Sequence, residues 1–377
     1  MKVFVLFAGL FFFSTGLFCQ QVRTPAELDI RIGVMKYGKH NTITDVPGVK
    51  IGHTTLITAD SIRTGVTAIL PHGGNLFQQK VPAAIYLGNG FGKLAGYSQV
   101  KELGNIEMPI VLTNTLSVAT AVNAVVNYSM KQKGNENLQS VNAVVGETND
   151  GYLNDIRGQH VKETDVLNAI QSASEGPVAE GNVGAGTGTV CFGFKGGIGT
   201  ASRVLPAKSG GYTVGVLVQT NFGGVLNIDG VPAGEELNKY YLKDQLNETA
   251  DGSCMIVVAT NAPLDARNLE RLAKRAIMGL AKTGGIASNG SGDYVIAFST
   301  DSTLRIPHNA PDLLQQKLLS NDAMSPLFMA TIEATEEAII NSLFAAVSMK
   351  GKNGRTIEAL PLEKIKAIFK KYNRIKK

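Results

Sequence analysis

The sequence predicts a layered α/β protein. Short apolar runs rich in β-branched residues alternate along the chain with longer segments of helical pattern, which is typical of helices packed on sheets. Hydrophobic residues make up 44% of the 377 residues, enough for a sizeable core. Glycine is abundant at 42 residues, so tight turns are expected. No long linker or short-period repeat is visible, and the order of the strands stays open.

Each predicted element has a local reason. The strands are apolar runs bounded by polar or glycine-containing turns. The first helix has Ser117 as its expected cap and ends before Gly134, and the last is apolar over much of its circumference, which predicts burial. In chain order the predicted elements are strand 108–113, helix 117–133, strand 141–145, helix 164–174, strands 189–194 and 213–220, a strand from residue 253, helix 265–281, strand 294–299 and helix 322–349.

Residues 1–20 are typical of a secretory signal peptide. Lys2 supplies the positive start, residues 3–13 are apolar, and a polar break follows. The run is shorter than the roughly 20 residues of a membrane-spanning helix. The bulky Phe18 before Cys19 disfavours lipid attachment at that cysteine. We therefore expect a periplasmic or secreted protein, residues 21–377, that is not otherwise bound to a membrane.

Composition excludes several classes of function. The net charge is +5, and much of it lies in the tail 364–377, a pattern more typical of a solvated helix end than of a nucleic-acid surface. Cys191 and Cys254 lie in apolar runs and predict buried thiols. None of the five histidines has metal-ligand spacing, so neither a metal nor another cofactor is expected.

The junction between Gly252 and Ser253 is the most informative feature. The polar segment 243–252 ends there and a strand-like apolar run begins, so Ser253 starts a buried strand after a loop suited to processing. If that peptide bond were cut, Ser253 would carry a free α-amine with a pKa near ~8 beside its own hydroxyl. Nucleophile and base would then belong to one residue. The alternative is an ordinary serine at a strand start.

Three further polar clusters lie at strand ends, where site residues commonly occur. Glu147, in the run 146–155, could accept a substrate ammonium group, or the run could be a solvated turn. Asn221 could donate to an oxyanion. Ser291 and Asp293 stand two apart, and a hydroxyl backed by a carboxylate can orient a nearby amine.

The glycine-rich string 181–189 invites comparison with a dinucleotide-binding loop. It follows a helix and leads into a strand, whereas that fingerprint needs a strand and then a helix. The string is either a backbone-lined wall of a binding cleft or a set of turns.

Several of these motifs together resemble the DmpA-like aminopeptidases, which include the β-peptidyl aminopeptidases. The resemblance covers most of the mature chain, from residue 41 to the strand after Asp293. It rests on motifs that occur in the same order as in that family: residues 45–49 with 51–53, the run 146–151, the strand end 219–221 and the Gly252–Ser253 junction.

The resemblance implies a four-layer αββα sandwich, similar to N-terminal-nucleophile hydrolases but with different connectivity. It implies a single catalytic domain that cuts itself into an α chain, residues 21–252, and a β chain, residues 253–377. It further implies homo-oligomers of such two-chain protomers. The implied substrates are small peptides or amino-acid amides, from which L-, D- or β-amino acids are released at the N-terminus.

The resemblance also assigns roles to residues. Ser253 is implied as the nucleophile and Asn221 as the oxyanion donor. Ser291 and Asp293 are implied as supports of the nucleophile, with Asp293 standing where the β-aminopeptidases have Glu, whose side chain is longer. Glu147 is implied to receive the substrate amine. Weaker transfers to the substrate site are Asn149 and Tyr152.

Two other functions fit the sequence. The same fold could pass the acyl group to an amine instead of water, as an acyltransferase does. The chain could also be an uncleaved secreted binding protein, which would purify as one polypeptide.

Overall fold

The fold has four layers, in the order helices, sheet, sheet, helices. A computed structural model describes residues 24–243 and 252–375 of the chain. The predicted signal peptide, residues 1–20, and residues 244–251 of the predicted processing loop lie outside the described residues. The predicted αββα sandwich is confirmed.

The bounds of the elements are as follows. The strands are β1 Lys50–Thr58, β2 Ile62–Leu70, β3 Gln79–Gly90, β4 Asn105–Ile106, β5 Ile110–Asn114, β6 Val144–Thr148, β7 Val190–Cys191, β8 Phe194–Lys195, β9 Ile198–Val204, β10 Thr213–Asn221, β11 Ser253–Thr260, β12 Gly292–Ser299, β13 Ile306–Pro307, β14 Met349–Lys350 and β15 Thr356–Ile357. The helices are α1 Tyr97–Leu103, α2 Val118–Met130, α3 Glu163–Gln171, α4 Ala233–Glu236, α5 Ala266–Lys282, α6 Ser325–Phe344 and α7 Leu362–Lys371. No helix in the described ranges combines the length and hydropathy that a bilayer crossing requires.

Three apolar cores separate the four layers. The larger sheet has the strand order β13-β3-β12-β11-β10-β9, with β4 beside β3, and the smaller has the order β1-β2-β5-β6. One core lies between α5, α6 and the larger sheet, a second lies between the two sheets, and a third lies between the smaller sheet and α2 and α3. Each sheet is therefore covered on both faces.

The central strands of the larger sheet explain the continuous apolar runs in the sequence. Every residue of β10, β11 and β12 is buried, as expected for strands covered on both faces. β10 and β11 are antiparallel, whereas β11 and β12 are parallel and are joined through α5. In the resulting register Asn221 lies opposite Ser253, and Ser253 lies opposite Gly292.

Several predicted elements need correction. The strand predicted at 189–194 is wrong: the segment forms the short hairpin β7–β8, because Phe192 and Gly193 both have positive φ and turn the chain. The last long helix ends at Phe344 rather than at 349. Ser117 caps no helix with its side chain; instead the side chain of Asn114 accepts the Leu116 N–H just before α2.

A buried ion-pair network fastens the segment before β1 to the larger sheet and α6. Arg203 on β9 is fully buried, and its Nε donates to Glu333 Oε2 at 3.0 Å. Its Nη1 lies 2.6 Å from Glu337 Oε2, and its Nη2 donates to the carbonyl of Ile32 at 2.7 Å. Burial raises the pKa of Glu337, and the Arg203 charge partly offsets that rise.

Replacing Arg203 with Met should destabilise the fold strongly. Two buried carboxylates would lose their cation, and breaking a buried pair costs about 3–5 kcal/mol. Chemical denaturation followed by circular dichroism measures the free energy of unfolding. The matched control is Lys101→Met, which removes an exposed ion pair with Glu270 and should cost at most about 1 kcal/mol. Equal losses in the two variants would contradict a structural role for the network.

Candidate active site

A cleft of about 780 Å³ opens where the ends of β6, β10 and β11 come together. Its size suits a small ligand. Six of the residues singled out from the sequence line it, drawn from segments that are far apart in the chain. They are Glu147, Asn149, Tyr152, Asn221, Gly252 and Ser253.

Ser253 is the first residue of β11 and is almost completely buried. Its Oγ lies 2.5 Å from the carbonyl oxygen of Gly252, the residue just before it. The N–H of Gly292 on the adjacent strand lies 3.4 Å from Ser253 Oγ and donates to the same Gly252 carbonyl at 3.2 Å. The hydroxyl and the carbonyl of the predicted cleavage site are thus held together by strand pairing.

Asn221 is the last residue of β10 and lies directly opposite Ser253. Its side-chain Oδ1 accepts the N–H of Val190 at 3.0 Å, which fixes the orientation of the amide. The Nδ2 group remains as the donor, and no described residue accepts a hydrogen bond from it. An amide oriented in this way beside a nucleophile can donate to a developing oxyanion.

Glu147 lies on β6, in the other sheet, and is buried. Its Oε1 accepts the backbone N–H of Lys93 at 2.9 Å, and its Oε2 accepts the hydroxyl of Thr115. Each oxygen is therefore held by one donor, and the carboxylate can still accept from a further cation in the cleft. Neither Lys93 nor Thr115 could be predicted from the sequence, because Lys93 acts through its backbone and Thr115 lies in a 3₁₀ turn.

Asn149 and Tyr152 occupy the loop after β6. The side chain of Asn149 accepts the N–H of Gly151 at 2.9 Å, which is a local turn contact. Tyr152 is 49% exposed, and the Arg355 guanidinium lies over its ring at 4.9 Å from the centroid. Both side chains belong to the rim of the cleft.

Ser291 and Asp293 flank Gly292 but do not line the cleft. Both are buried beside the start of β11, where Asp293 pairs in register with Cys254. Within the described residues neither Ser291 Oγ nor the Asp293 carboxylate oxygens has a hydrogen-bond partner of good geometry. Burial raises the pKa of Asp293 to about 6, and the nearby Ser291 hydroxyl and Cys254 N–H offset part of that rise.

The glycine-rich string 181–189 is not a wall of the cleft. It contains the 3₁₀ turn Gly184–Gly186 and passes behind the site, and only the following residue, Val190, reaches the cleft. The Gly186 carbonyl accepts Lys195 Nζ at 3.0 Å, and the Ala185 carbonyl accepts Gln219 Nε2 at 2.9 Å. The turn interpretation of the string is the correct one.

Gln219 links the two sheets directly behind the site. It lies on β10, two residues before Asn221, and is fully buried. Its Nε2 lies 3.0 Å from the Thr113 carbonyl oxygen on β5 and 2.8 Å from Thr148 Oγ1 on β6. It also lies 2.9 Å from the Ala185 carbonyl oxygen, so the two N–H protons of the amide are shared among three acceptors. The strand that carries Asn221 is thereby fixed to the strand that carries Glu147. In the sequence, only the presence of a single amide side chain within an apolar strand pointed to this link between the sheets.

Among residues 24–243 and 252–375 there is no group of three or more His, Cys, Asp or Glu side chains that could hold a metal ion.

A family model and a named relative both match most of this chain. The family model for peptidase family S58 matches residues 41–357. The chain is 43% identical over 367 residues to the beta-peptidyl aminopeptidase BapA of Sphingosinicella microcystinivorans, with 90% of each chain covered.

Solved structures show the same fold. The PH0078 protein of Pyrococcus horikoshii OT3 aligns with a TM-score of 0.87 and 49% identity, covering 93% of this chain and all (100%) of that one. The L-aminopeptidase D-Ala-esterase/amidase of Ochrobactrum anthropi aligns with a TM-score of 0.86 and 35% identity, covering 94% and 100%. That protein is described as a prototype for the serine aminopeptidases and a new variant of the Ntn hydrolase fold.

Replacing Gln219 with Leu should destabilise the protein by about 2 kcal/mol, because buried acceptors in the smaller sheet and in the turn Gly184–Gly186 would lose their donor. The free energy of unfolding, measured by chemical denaturation, checks this value. Gln139→Leu is the matched control, since Gln139 is exposed and its replacement should change little. A Gln219→Leu variant as stable as the control would show that the link between the sheets contributes nothing to stability.

Proposed function

The chain belongs to peptidase family S58, and from that premise we propose that it is a self-processing serine aminopeptidase. The observation that carries the proposal is the contact at the Gly252–Ser253 junction. A buried hydroxyl lies 2.5 Å from the carbonyl oxygen of the preceding peptide, with an oriented amide on the opposite strand. Family membership favours a peptidase over the uncleaved binding protein and the acyltransferase considered above.

The proposed maturation is an N→O acyl shift. Ser253 Oγ attacks the Gly252 carbonyl carbon, the hydroxyl proton passes to the departing nitrogen, and the C–N bond breaks to leave an ester. Water then hydrolyses that ester, which gives a Gly252 carboxylate and a free Ser253 α-amine. The Gly292 N–H, 3.2 Å from the Gly252 oxygen, supports the charge that develops there.

Turnover uses Ser253 again, now with its free α-amine. The neutral α-amine of Ser253 takes the proton of its own hydroxyl, and Oγ attacks the substrate carbonyl. Asn221 Nδ2 donates to the oxyanion, the leaving amine departs with a proton, and water hydrolyses the acyl-enzyme. Asp293 lies one residue beyond Gly292 on β12, and its buried carboxyl supports the positive charge that the new amine carries when it is protonated.

The proposed substrates carry a free amine near the scissile bond. Glu147 supports this class, because a buried carboxylate with one donor on each oxygen can still pair with an ammonium group. The names of the relatives point to small N-terminal residues that include L-, D- and β-amino acids. Export to the periplasm or beyond, and assembly of two-chain protomers into a homo-oligomer, stay predictions from sequence.

Replacing Ser253 with Ala should leave a single uncleaved polypeptide, because the attacking oxygen is gone. A denaturing gel of the purified protein, with N-terminal sequencing of any fragment, checks this result. Wild type should give a fragment that begins at Ser253. The control Ser209→Ala removes a serine in a turn before β10 and should be cleaved like wild type. Cleavage of Ser253→Ala at the same bond would indicate an outside protease instead.

Replacing Glu147 with Gln should leave self-cleavage intact but slow turnover. The glutamine amide keeps an oxygen that can accept the Lys93 N–H, but the negative charge is lost. We expect the loss of the charge to cost about 2 kcal/mol, or roughly thirtyfold in kcat/KM. Rates on free and N-acetylated alanine anilides measure the effect, and wild type should hydrolyse only the free amine.

Glu163→Gln on α3 is the matched control, since that carboxylate accepts from Asn127 on the outer face of the protein. Equal wild-type rates on the two anilides would remove Glu147 from amine recognition.

A further inference from the structure

Charge is unevenly distributed in the cleft. Among its described lining residues Glu147 is the single carboxylate, whereas three residues carry a positive charge: Lys93, Lys239 and Arg355. An ammonium group bound at Glu147 would leave the rest of the cleft cationic. The mechanism proposed above uses none of these three side-chain charges.

Lys239 is a partly desolvated cation without an ion-pair partner among the described residues. Its Nζ lies 4.2 Å from the ring centroid of Phe194, and its stem packs on Gly193, where an added Cβ would come within 2.7 Å of Lys239 Cε. No described carboxylate lies within 4.0 Å of Nζ, and burial lowers the pKa of Lys239 although the charge of Glu358 partly opposes this. A desolvated ammonium is costly unless an anion joins it.

Arg355 lies beside the same cleft, on a segment that runs from the loop after β6 to the β7–β8 hairpin, where the Glu358 carbonyl accepts the Lys195 N–H at 2.8 Å. Its guanidinium stacks on Tyr152, and Nη1 donates to the Tyr152 carbonyl at 3.3 Å. It forms no ion pair with a described residue. A guanidinium fixed in this way keeps further N–H donors, and its fork geometry suits a carboxylate.

Glu147 and Lys239, whose charges are opposite in sign, lie on different walls of the cleft. Glu147 belongs to the smaller sheet, whereas Lys239 packs on the β7–β8 hairpin, whose Val190 N–H orients Asn221. Ser253 belongs to the larger sheet, beside Asn221. A substrate that spans the cleft would therefore meet a carboxylate at its amine end and cations beyond the scissile bond.

We propose that Lys239 and Arg355 bind the C-terminal carboxylate of the leaving group, so that the substrates are dipeptides and similarly short zwitterions. This inference rests on the proposed aminopeptidase function and names its substrate class. Two extended residues span about 7 Å, which a cleft of about 780 Å³ accommodates. A long peptide has no charge at this point and would gain nothing from the two cations.

The experiment compares three substrates on cleaved enzyme: alanine p-nitroanilide, Ala-Ala and Ala-Ala-amide. The measured quantity is the ratio of kcat/KM for Ala-Ala to kcat/KM for Ala-Ala-amide. In Lys239→Met/Arg355→Gln that ratio should fall about tenfold from the wild-type value, mainly through KM, as expected for a partly screened charge-assisted contact. The wild-type ratio should also fall as salt rises.

Lys131→Met/Lys133→Met is the matched control. It also removes two positive charges, but both residues are exposed and lie outside the cleft. Its ratio should therefore stay at the wild-type value. The anilide has no carboxylate, so its hydrolysis tests the proposed function independently of this subsite.

Three outcomes distinguish an error in the carboxylate subsite from an error in the proposed function. If cleaved wild type hydrolyses the anilide but the double variant keeps the wild-type ratio, the carboxylate subsite is wrong and the proposed function stands. If wild type hydrolyses none of the three substrates, the proposed function itself fails. If the double variant is no longer cleaved into two chains, the cations serve maturation, for example by holding the new Gly252 carboxylate, and the substrate inference is overturned.

Discussion

The register of the three central strands is the constraint on which the site depends. Ser253 begins β11, Asn221 ends β10 opposite it, and Gly292 begins β12 on the other side. A slip of one residue would turn Ser253 toward the helices and bring Cys254 to the cleft, because side chains alternate across a sheet. Such a slip would also move Met255 out of the core between the sheets and Cys254 out of the core beneath the helices. The apolar cores on both faces therefore hold the hydroxyl against the Gly252 carbonyl.

The two-sheet architecture explains why the polar groups of the cleft come from such different parts of the chain. Ser253 and Asn221 lie in the larger sheet and Glu147 in the smaller. The separation of nucleophile and amine acceptor therefore depends on how the two sheets pack, at a backbone spacing of about 10 Å in general. Gln219 fixes that spacing through contacts to β5 and β6, close to Glu147. A residue that contacts no substrate in the proposed mechanism can in this way govern where the substrate amine sits.

The sequence predicted those parts of the structure that local pattern determines. The apolar run after Gly252 identified β11, and the polar residues at strand ends identified Glu147 and Asn221. It failed where tertiary geometry decides: the β7–β8 hairpin depends on two positive φ angles, and the contact between Gln219 and the smaller sheet joins residues far apart in sequence. Lys239 and Arg355 lie in loops whose positions no periodicity encodes. Ser291 and Asp293, which the resemblance implied as supports of the nucleophile, are buried beside the start of β11, with Asp293 in register with Cys254.

That placement of Asp293 suits the proposed chemistry of a serine that supplies its own base. In the uncleaved chain Ser253 has a backbone amide in place of an amine and therefore carries no positive charge. Burial without a cation raises the pKa of Asp293 to about 6. Cleavage would replace the Ser253 amide by an amine that can hold a proton. An ammonium group close to a buried carboxylate lowers the pKa of the acid and raises that of the amine, so each group would offset the desolvation of the other. On this view maturation creates the nucleophile's base and also supplies the charge that the buried acid lacks, without any histidine in the site.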